Sequence, residues 1–97
     1  MFRPSDFLVV VRDAGLTKSE VALLYGVARQ TVYGWLDGQV PRAGSLTDRM
    51  AFTITQTLLN LMRLKALPFP AYDPEVRKKK IEGLRSRLQN LKPAPVR

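Results

Sequence analysis

The chain has 97 residues and a formal net charge of +8, which is the size of one small domain and leaves no room for a second full domain. It contains neither cysteine nor histidine, so the composition excludes disulfides, thiolate metal sites and the commonest general base, and we expect no enzyme and no cofactor. The basic excess favours nucleic acid as the partner, with an anionic membrane surface or an acidic protein as weaker candidates.

Hydropathy predicts a protein that does not enter a membrane, and the absence of cysteine favours the cytoplasm. The longest mostly apolar stretch, residues 51–64, is interrupted by polar side chains, so it cannot span a bilayer. The first residues lack the small-residue cleavage site of a signal peptide. Because a chain of this length buries only a modest core and gains from a partner subunit, we expect a homodimer.

Two helices are predicted in the first quarter of the chain. The first follows Ser5 and Asp6 and ends at Gly15, since Gly is common just past a helix end. The segment 17–20, Thr-Lys-Ser-Glu, has the spacing of a capping box, which predicts a second helix over residues 18–25. Gly26 then supplies a residue that can turn through positive φ at little steric cost.

Three further helices are predicted in the rest of the chain. The third covers residues 29–37 and ends at Gly38, and the fourth is capped by Ser45 and keeps its apolar residues on one face over residues 45–65. Two prolines make residues 67–73 an extended spacer. Asp73 and Pro74 are the cap and the first residue of a fifth helix, and residues 92–97 form a frayed tail.

The fifth helix combines an apolar seam with a basic run. Its apolar residues are spaced 3, 4 and 3 apart, which is typical of a short coiled coil; they are Ile81, Leu84, Leu88 and Leu91. This seam either docks on the helical body or pairs with a second copy as a dimerisation element. The run Arg77-Lys-Lys-Lys80, with Arg85 and Arg87, is typical of a solvated face, and it can also contact phosphates or an acidic protein.

The third helix has two distinct faces. Helical spacing turns Ala28, Val32, Trp35 and Leu36 toward the core, and it turns Arg29, Gln30, Tyr33, Gly34 and Asp37 outward. Trp35 is therefore expected to be a packing anchor. Lys18 and Arg29 stand in the first turns of two neighbouring helices, where the helix dipole disfavours a cation unless an anion is bound there.

The segment "LTKSEVALLYGVARQTVYGWLDG", residues 16–38, resembles the helix-turn-helix of the phage repressor, Cro and XRE-type regulators. In that family a Thr-capped helix packs a small residue, here Ala22, against the turn glycine, here Gly26, and the next helix turns Val32 and Trp35 inward. The resemblance extends over about residues 5–65. It implies a compact all-α body of about five helices, in the cytoplasm of a bacterial or phage-infected cell and associated with the nucleoid.

The resemblance also implies roles for individual residues. Arg29, Gln30 and Tyr33 match positions that contact bases in the major groove, where arginine pairs with guanine and glutamine with adenine. Residues that match phosphate-contacting positions are Lys18, Thr31, Arg42 and Ser45. Three residues depart from the family pattern: Ala28 replaces the usual cap, Tyr25 a leucine, and Gly34 a side chain that often contacts a base.

The sequence thus predicts an all-α, lambda-repressor-like helix-turn-helix bundle of about four helices plus a C-terminal amphipathic helix. The predicted segments are a DNA-binding domain over 1–66 with its motif at 17–38, a spacer over 67–73, and a basic helix and tail over 74–97. The predicted function is sequence-specific binding of double-stranded DNA by a dimeric transcriptional regulator. The alternatives are a DNA-recognition accessory subunit, for phage packaging or recombination, and an antitoxin or protein-interaction module.

Overall fold

The structure is a computed structural model that describes residues 1–70 and 73–95, and these form five α-helices and no strand. The helices are α1 (Pro4–Asp13), α2 (Lys18–Tyr25), α3 (Arg29–Leu36), α4 (Leu46–Arg63) and α5 (Pro74–Gln89). Apart from the start of α1, the predicted helices are confirmed to within a residue or two. α1 starts earlier than expected, because Pro4 occupies its first turn and Arg3 precedes it without a side-chain cap.

Three helix starts carry the caps that the sequence predicts. In α2 the Thr17 hydroxyl accepts a hydrogen bond from the Glu20 N–H at 3.1 Å, and the Glu20 carboxylate accepts one from the Thr17 N–H at 2.9 Å. This reciprocal pair is a complete capping box. Ser45 and Asp73 cap α4 and α5 in the simpler way, each accepting from the N–H three residues on.

Aromatic rings fill the centre of the core. The ring of Phe7 is fully buried and lies 5.3 Å, centroid to centroid, from both Tyr25 and Trp35, with near-perpendicular ring planes. Trp35 is thus the packing anchor that the sequence predicts, and Val32 beside it is also buried. The inward position predicted for Ala28 is wrong: Ala28 is exposed because it precedes the helix as its N-cap residue, so helical spacing does not apply to it.

The C-terminal helix docks on its own chain. Ile81, Leu84 and Leu88 are buried in the same core as the residues of α1 to α4, and Leu91 packs against that core. These side chains are therefore already covered, and they are not available as the coiled-coil seam of a dimer. This corrects the dimerisation role given to the seam, because the coiled-coil spacing marks an apolar stripe without specifying what covers it.

The proline-containing segment after α4 also belongs to the body. Leu67 is buried in the core, and Pro68 lies so close to Gly15 that a Cβ placed on Gly15 would be 2.5 Å from the Pro68 Cβ. Residues 67–70 are thus packed rather than an open spacer, while residues 71–72 and the end of the tail, 96–97, lie outside the described residues. In the described chain the predicted segments share one core.

A buried hydroxyl pair joins α2 to α4. Thr55 donates its only hydroxyl proton to the Ala51 carbonyl at 2.7 Å, so the Tyr25 hydroxyl, 2.7 Å from the Thr55 oxygen, is the donor to Thr55. Burial raises the pKa of Tyr25 well above its usual range. Tyr25, a departure from the family pattern, thus finds its polar partner inside the protein.

None of the helices in the described part of the chain combines the length and the apolar character that a membrane span needs.

Candidate nucleic-acid interface

The polar surface of α2 and α3 is held together by a tight turn between the two helices. Gly26 has a φ of +67°, and a Cβ placed on it would meet no described residue within 4 Å. Backbone conformation, and not close packing, therefore requires glycine here. The Val27 N–H donates to the Ala22 carbonyl at 3.0 Å and closes the end of α2. We call the surface formed by Lys18, Ser19, Arg29, Gln30 and Tyr33 the α2–α3 face.

Two side-chain contacts link the helices across the α2–α3 face. The Arg29 Nη1 donates to the Ser19 Oγ at 3.3 Å, and the Lys18 Nζ lies 5.8 Å from the centroid of the Tyr33 ring. The second distance is within the range of a cation–π interaction. The structure therefore brings together Lys18, Arg29 and Tyr33, which the sequence selected at separate positions, and Ser19, to which it gave no role. Lys18 and Arg29 are both exposed to solvent.

The start of α3 has no side-chain cap. Ala28 offers no oxygen to the first N–H groups, and the first turn holds no acidic residue. The Thr31 N–H bonds to the Ala28 carbonyl at 2.9 Å, whereas within the described chain the N–H groups of Arg29 and Gln30 have no backbone or side-chain acceptor. Uncapped N–H groups beside exposed cations form an arrangement suited to a phosphate oxygen.

The remaining predicted phosphate contacts lie apart from this cluster or are less open. Thr31 is half-buried on α3, and Arg42 is exposed on the loop before α4. Ser45 is half-buried, and its oxygen already accepts the Asp48 N–H at 3.1 Å as the cap of α4. The Ser45 hydroxyl can thus still donate its proton to an anion, but its orientation is set by the cap.

Asp48 holds the loop that carries Arg42, and sequence analysis had not given it this role. Its carboxylate accepts from the Gly44 N–H at 2.8 Å and from the Phe2 N–H at 2.6 Å, and the side chain is almost fully buried. Burial raises the pKa of Asp48, but the two N–H donors outweigh burial and leave its pKa below the usual value. A buried carboxylate thus fixes both the loop and the N-terminal segment.

Gln39 is a second residue of this region that sequence analysis missed. Its N–H donates to the Gly34 carbonyl at 2.8 Å, and its Oε1 would lie 3.1 Å from a Cβ placed on Gly34. The amide of Gln39 therefore occupies the space where a side chain at position 34 would project. Periodicity does not predict this position, because Gln39 lies in a loop and its side chain reaches Gly34 only through the turn after α3.

One acidic residue close to the α2–α3 face is neutralised by α5. Arg77 donates to both carboxylate oxygens of Glu20, at 2.7 and 3.0 Å, and to the Gly15 carbonyl at 2.8 Å. The bond from Arg77 is the main reason that the pKa of Glu20 is lowered. The negative charge of Glu20, two residues from Lys18 in the chain, is therefore compensated by Arg77. Arg77 is thus not a free cation of a basic tail.

The described residues contain no cluster of metal-ligating side chains. No group of three or more histidine, cysteine, aspartate or glutamate side chains is placed to hold a metal ion in this part of the chain.

Comparisons of the chain with protein-family models, with curated proteins and with solved structures gave no match. The geometry and charge of the α2–α3 face are therefore the features from which a function is inferred.

Proposed function

We propose that this protein is a helix-turn-helix regulator that binds specific sequences of double-stranded DNA. The observation that carries the proposal is the α2–α3 face, on which Lys18, Arg29, Gln30 and Tyr33 are exposed together beside the uncapped start of α3. Val32 and Trp35 bury the opposite side of α3, so the polar side is the one available to a ligand. The net charge of +8 adds long-range attraction for a polyanion.

In this proposal α3 enters the major groove with its N-terminal residues foremost. Gln30 pairs with adenine and Arg29 with guanine, and each bidentate pair is worth about 1–3 kcal/mol of discrimination. Lys18 contacts a backbone phosphate, and Tyr33 is held near it by the cation–π contact. The amide of Gln39 stands next to Gly34 as a further donor and acceptor toward the groove.

The proposed dimer needs a surface other than the α5 seam. An apolar groove of about 300 Å³ lies between the end of α2, the start of α4 and the end of α5, and none of the described residues that line it is charged. Leu23 and Leu46 are exposed there. An uncharged apolar surface is the place where two copies of a basic chain meet with least repulsion. In the proposed dimer the two α3 helices bind half-sites about 34 Å apart.

The test is a selection from random duplexes of about 30 base pairs, long enough for two half-sites. Wild type and Gln30→Ala are carried through selection and sequencing in parallel. We expect an enriched, two-fold-related motif from the wild type and loss of preference at one base pair of each half-site with Gln30→Ala. Direct base contact predicts this result, because alanine offers no hydrogen bond to a base edge.

Salt dependence separates phosphate contacts from base contacts. Lys18→Ala should weaken all duplexes alike and flatten the slope of log affinity against log salt by about one. The matched control is Lys79→Ala, which removes the same charge from α5. If Lys18→Ala and Gln30→Ala both left affinity and salt slope unchanged, the α2–α3 face would not be the DNA-binding surface. Salt-sensitive binding without an enriched motif would instead indicate an accessory DNA-binding subunit guided by DNA shape.

A further inference from the structure

A second groove lies along α5 and shares no lining residue with the uncharged one. It consists of two adjoining hollows of about 240 and 470 Å³ that share Lys80, Gly83 and Leu84. Its apolar lining comes from the end of α4, the segment after it and α5. We call this surface the α5 groove, and its apolar residues are Leu61, Ala66, Leu67, Phe69, Val76 and Leu84.

Gly83 lies in the middle of the α5 groove, and neither its backbone conformation nor a close contact within the described chain requires glycine there. A Cβ placed on it would meet no atom of the described chain within 4 Å, and its φ is not positive. Glycine inside a helix is less favourable than alanine, so this position weakens α5 and satisfies no packing need of the described residues. Its effect is to leave a notch over which another backbone can approach closely.

The charged residues that line the α5 groove are all basic. Lys80 and Arg87 line the smaller hollow, Lys79 and Lys80 line the larger one, and none of the described residues that line either hollow is acidic. Val76 is 37% exposed at one end, so the apolar surface is open to a ligand. Apolar surface with a rim of one charge sign fits a partner with apolar anchors and the opposite charge.

We propose that the α5 groove docks an acidic amphipathic helix of a partner protein. The apolar face of that helix covers Val76, Ala66 and Phe69, its backbone crosses at Gly83, and its carboxylates pair with Lys79 and Arg87. A second copy of this chain fits poorly, because it would bring the same cations to the same rim. DNA also fits poorly, because phosphates gain nothing from the apolar surface.

The proposal is independent of DNA binding and is tested without DNA. A displayed library of helical peptides of random sequence is selected against the wild-type protein, and the enriched peptides are measured by fluorescence anisotropy. We expect the enriched peptides to be acidic and to repeat apolar residues at helical spacing. Amide chemical shifts should change around Gly83 and Phe69 when such a peptide binds.

Two matched pairs of variants test the groove itself. Gly83→Leu fills the notch, while Ser86→Leu adds the same side chain to an exposed position of α5 that does not line the groove. Lys79→Glu with Arg87→Glu reverses the rim, while Lys78→Glu with Arg85→Glu makes the same change of charge outside it. The first member of each pair should bind the peptide about tenfold more weakly or worse, and its control should bind nearly as the wild type does.

Several results would overturn the proposal. One is the absence of acidic helices among the enriched peptides; another is an equal effect of both members of each pair. Binding of anionic phospholipid vesicles in place of the peptides would assign the groove to a membrane surface. A wild-type dimer in sedimentation that Gly83→Leu dissociates would assign it to a second copy. If Gly83→Leu lowers the melting temperature, the double variant Lys79→Glu with Arg87→Glu still tests the groove, because it changes only exposed residues.

Discussion

Arg77 of α5 forms a bidentate ion pair with Glu20 of α2, the residue that completes the capping box of that helix. The guanidinium also donates to the Gly15 carbonyl, in the turn between α1 and α2. One side chain therefore connects the start of α5, the start of α2 and the turn before it. Since Lys18 lies in the first turn of α2, the position of the proposed phosphate contact depends on α5.

We predict that Arg77→Ala lowers the free energy of unfolding by about 1 kcal/mol, because the pair is partly exposed and such pairs contribute modestly. Urea unfolding at neutral pH measures this loss. Lys78→Ala is the control, since Lys78 is exposed one residue away, and it should change stability by less than about 0.5 kcal/mol. Equal losses for the two variants would contradict a specific role of the ion pair.

The same pair predicts a pH dependence. The pKa of Glu20 is lowered in the folded protein, so its contribution to stability is fully present above the unfolded value, about 4.3, and is lost as the pH falls through the folded pKa. The difference in unfolding free energy between wild type and Arg77→Ala should therefore shrink below about pH 4. A difference that stays constant down to pH 3 would assign the loss to packing of the Arg77 stem and to its hydrogen bond with the Gly15 carbonyl.

Asp48→Asn should lower the free energy of unfolding by about 2 kcal/mol, since a buried donor left without its acceptor costs about 1–3 kcal/mol. The Phe2 and Gly44 N–H groups bond to different carboxylate oxygens, and an asparagine replaces one of those oxygens by an amide nitrogen. Asp37→Asn, at an exposed position, serves as control and should have little effect. Thermal unfolding by circular dichroism would compare the two variants.

The buried hydroxyl pair predicts an asymmetry between its two members. Tyr25→Phe removes a donor and leaves Thr55 bonded to the Ala51 carbonyl, so it should cost about 1 kcal/mol. Thr55→Val strands the Tyr25 hydroxyl in the core and should cost about 1–3 kcal/mol. In the double variant the loss should be smaller than the sum of the two, and strict additivity in urea unfolding would contradict the assigned hydrogen bond.

Two glycines with nearly equal φ should respond differently to alanine. Gly15 and Gly26 have φ values of +68° and +67°, but only at Gly15 would the new Cβ collide, with Pro68. Gly26→Ala should cost about 1–2 kcal/mol for the left-handed backbone alone. Gly15→Ala should cost more, because the segment containing Pro68 must also move, and a loss no larger than that of Gly26→Ala in urea unfolding would argue against that close contact.

Arg29→Lys separates charge from geometry in the proposed DNA complex. A lysine keeps the phosphate attraction but lacks the planar guanidinium that pairs bidentately with guanine. We expect an unchanged salt slope and a loss of about 1–3 kcal/mol of discrimination at one base pair. Competition between matched and single-substituted duplexes measures this. An altered salt slope with intact discrimination would assign Arg29 to the phosphate backbone.

The predicted elements succeeded where their causes are local. The capping box at Thr17 and Glu20, the turn at Gly26 and the buried pair Val32 and Trp35 all depend on residues within one or two helical turns of each other. Such signals are complete in the sequence. Periodicity also identified the apolar stripe of α5, although it failed at Ala28, which lies before the first turn of α3.

Only the tertiary structure decided what covers each surface and which charges meet. Arg77 and Glu20 are 57 residues apart, and their pairing depends on how α5 lies along α2, which no local pattern encodes. The same holds for Asp48 with Phe2 and for the docking of α5. By itself the sequence determined the helices, their caps, the basic charge and the set of polar residues on α3. The packing of the helices determined that the α5 stripe is core, because an apolar stripe is satisfied by any surface that removes it from water.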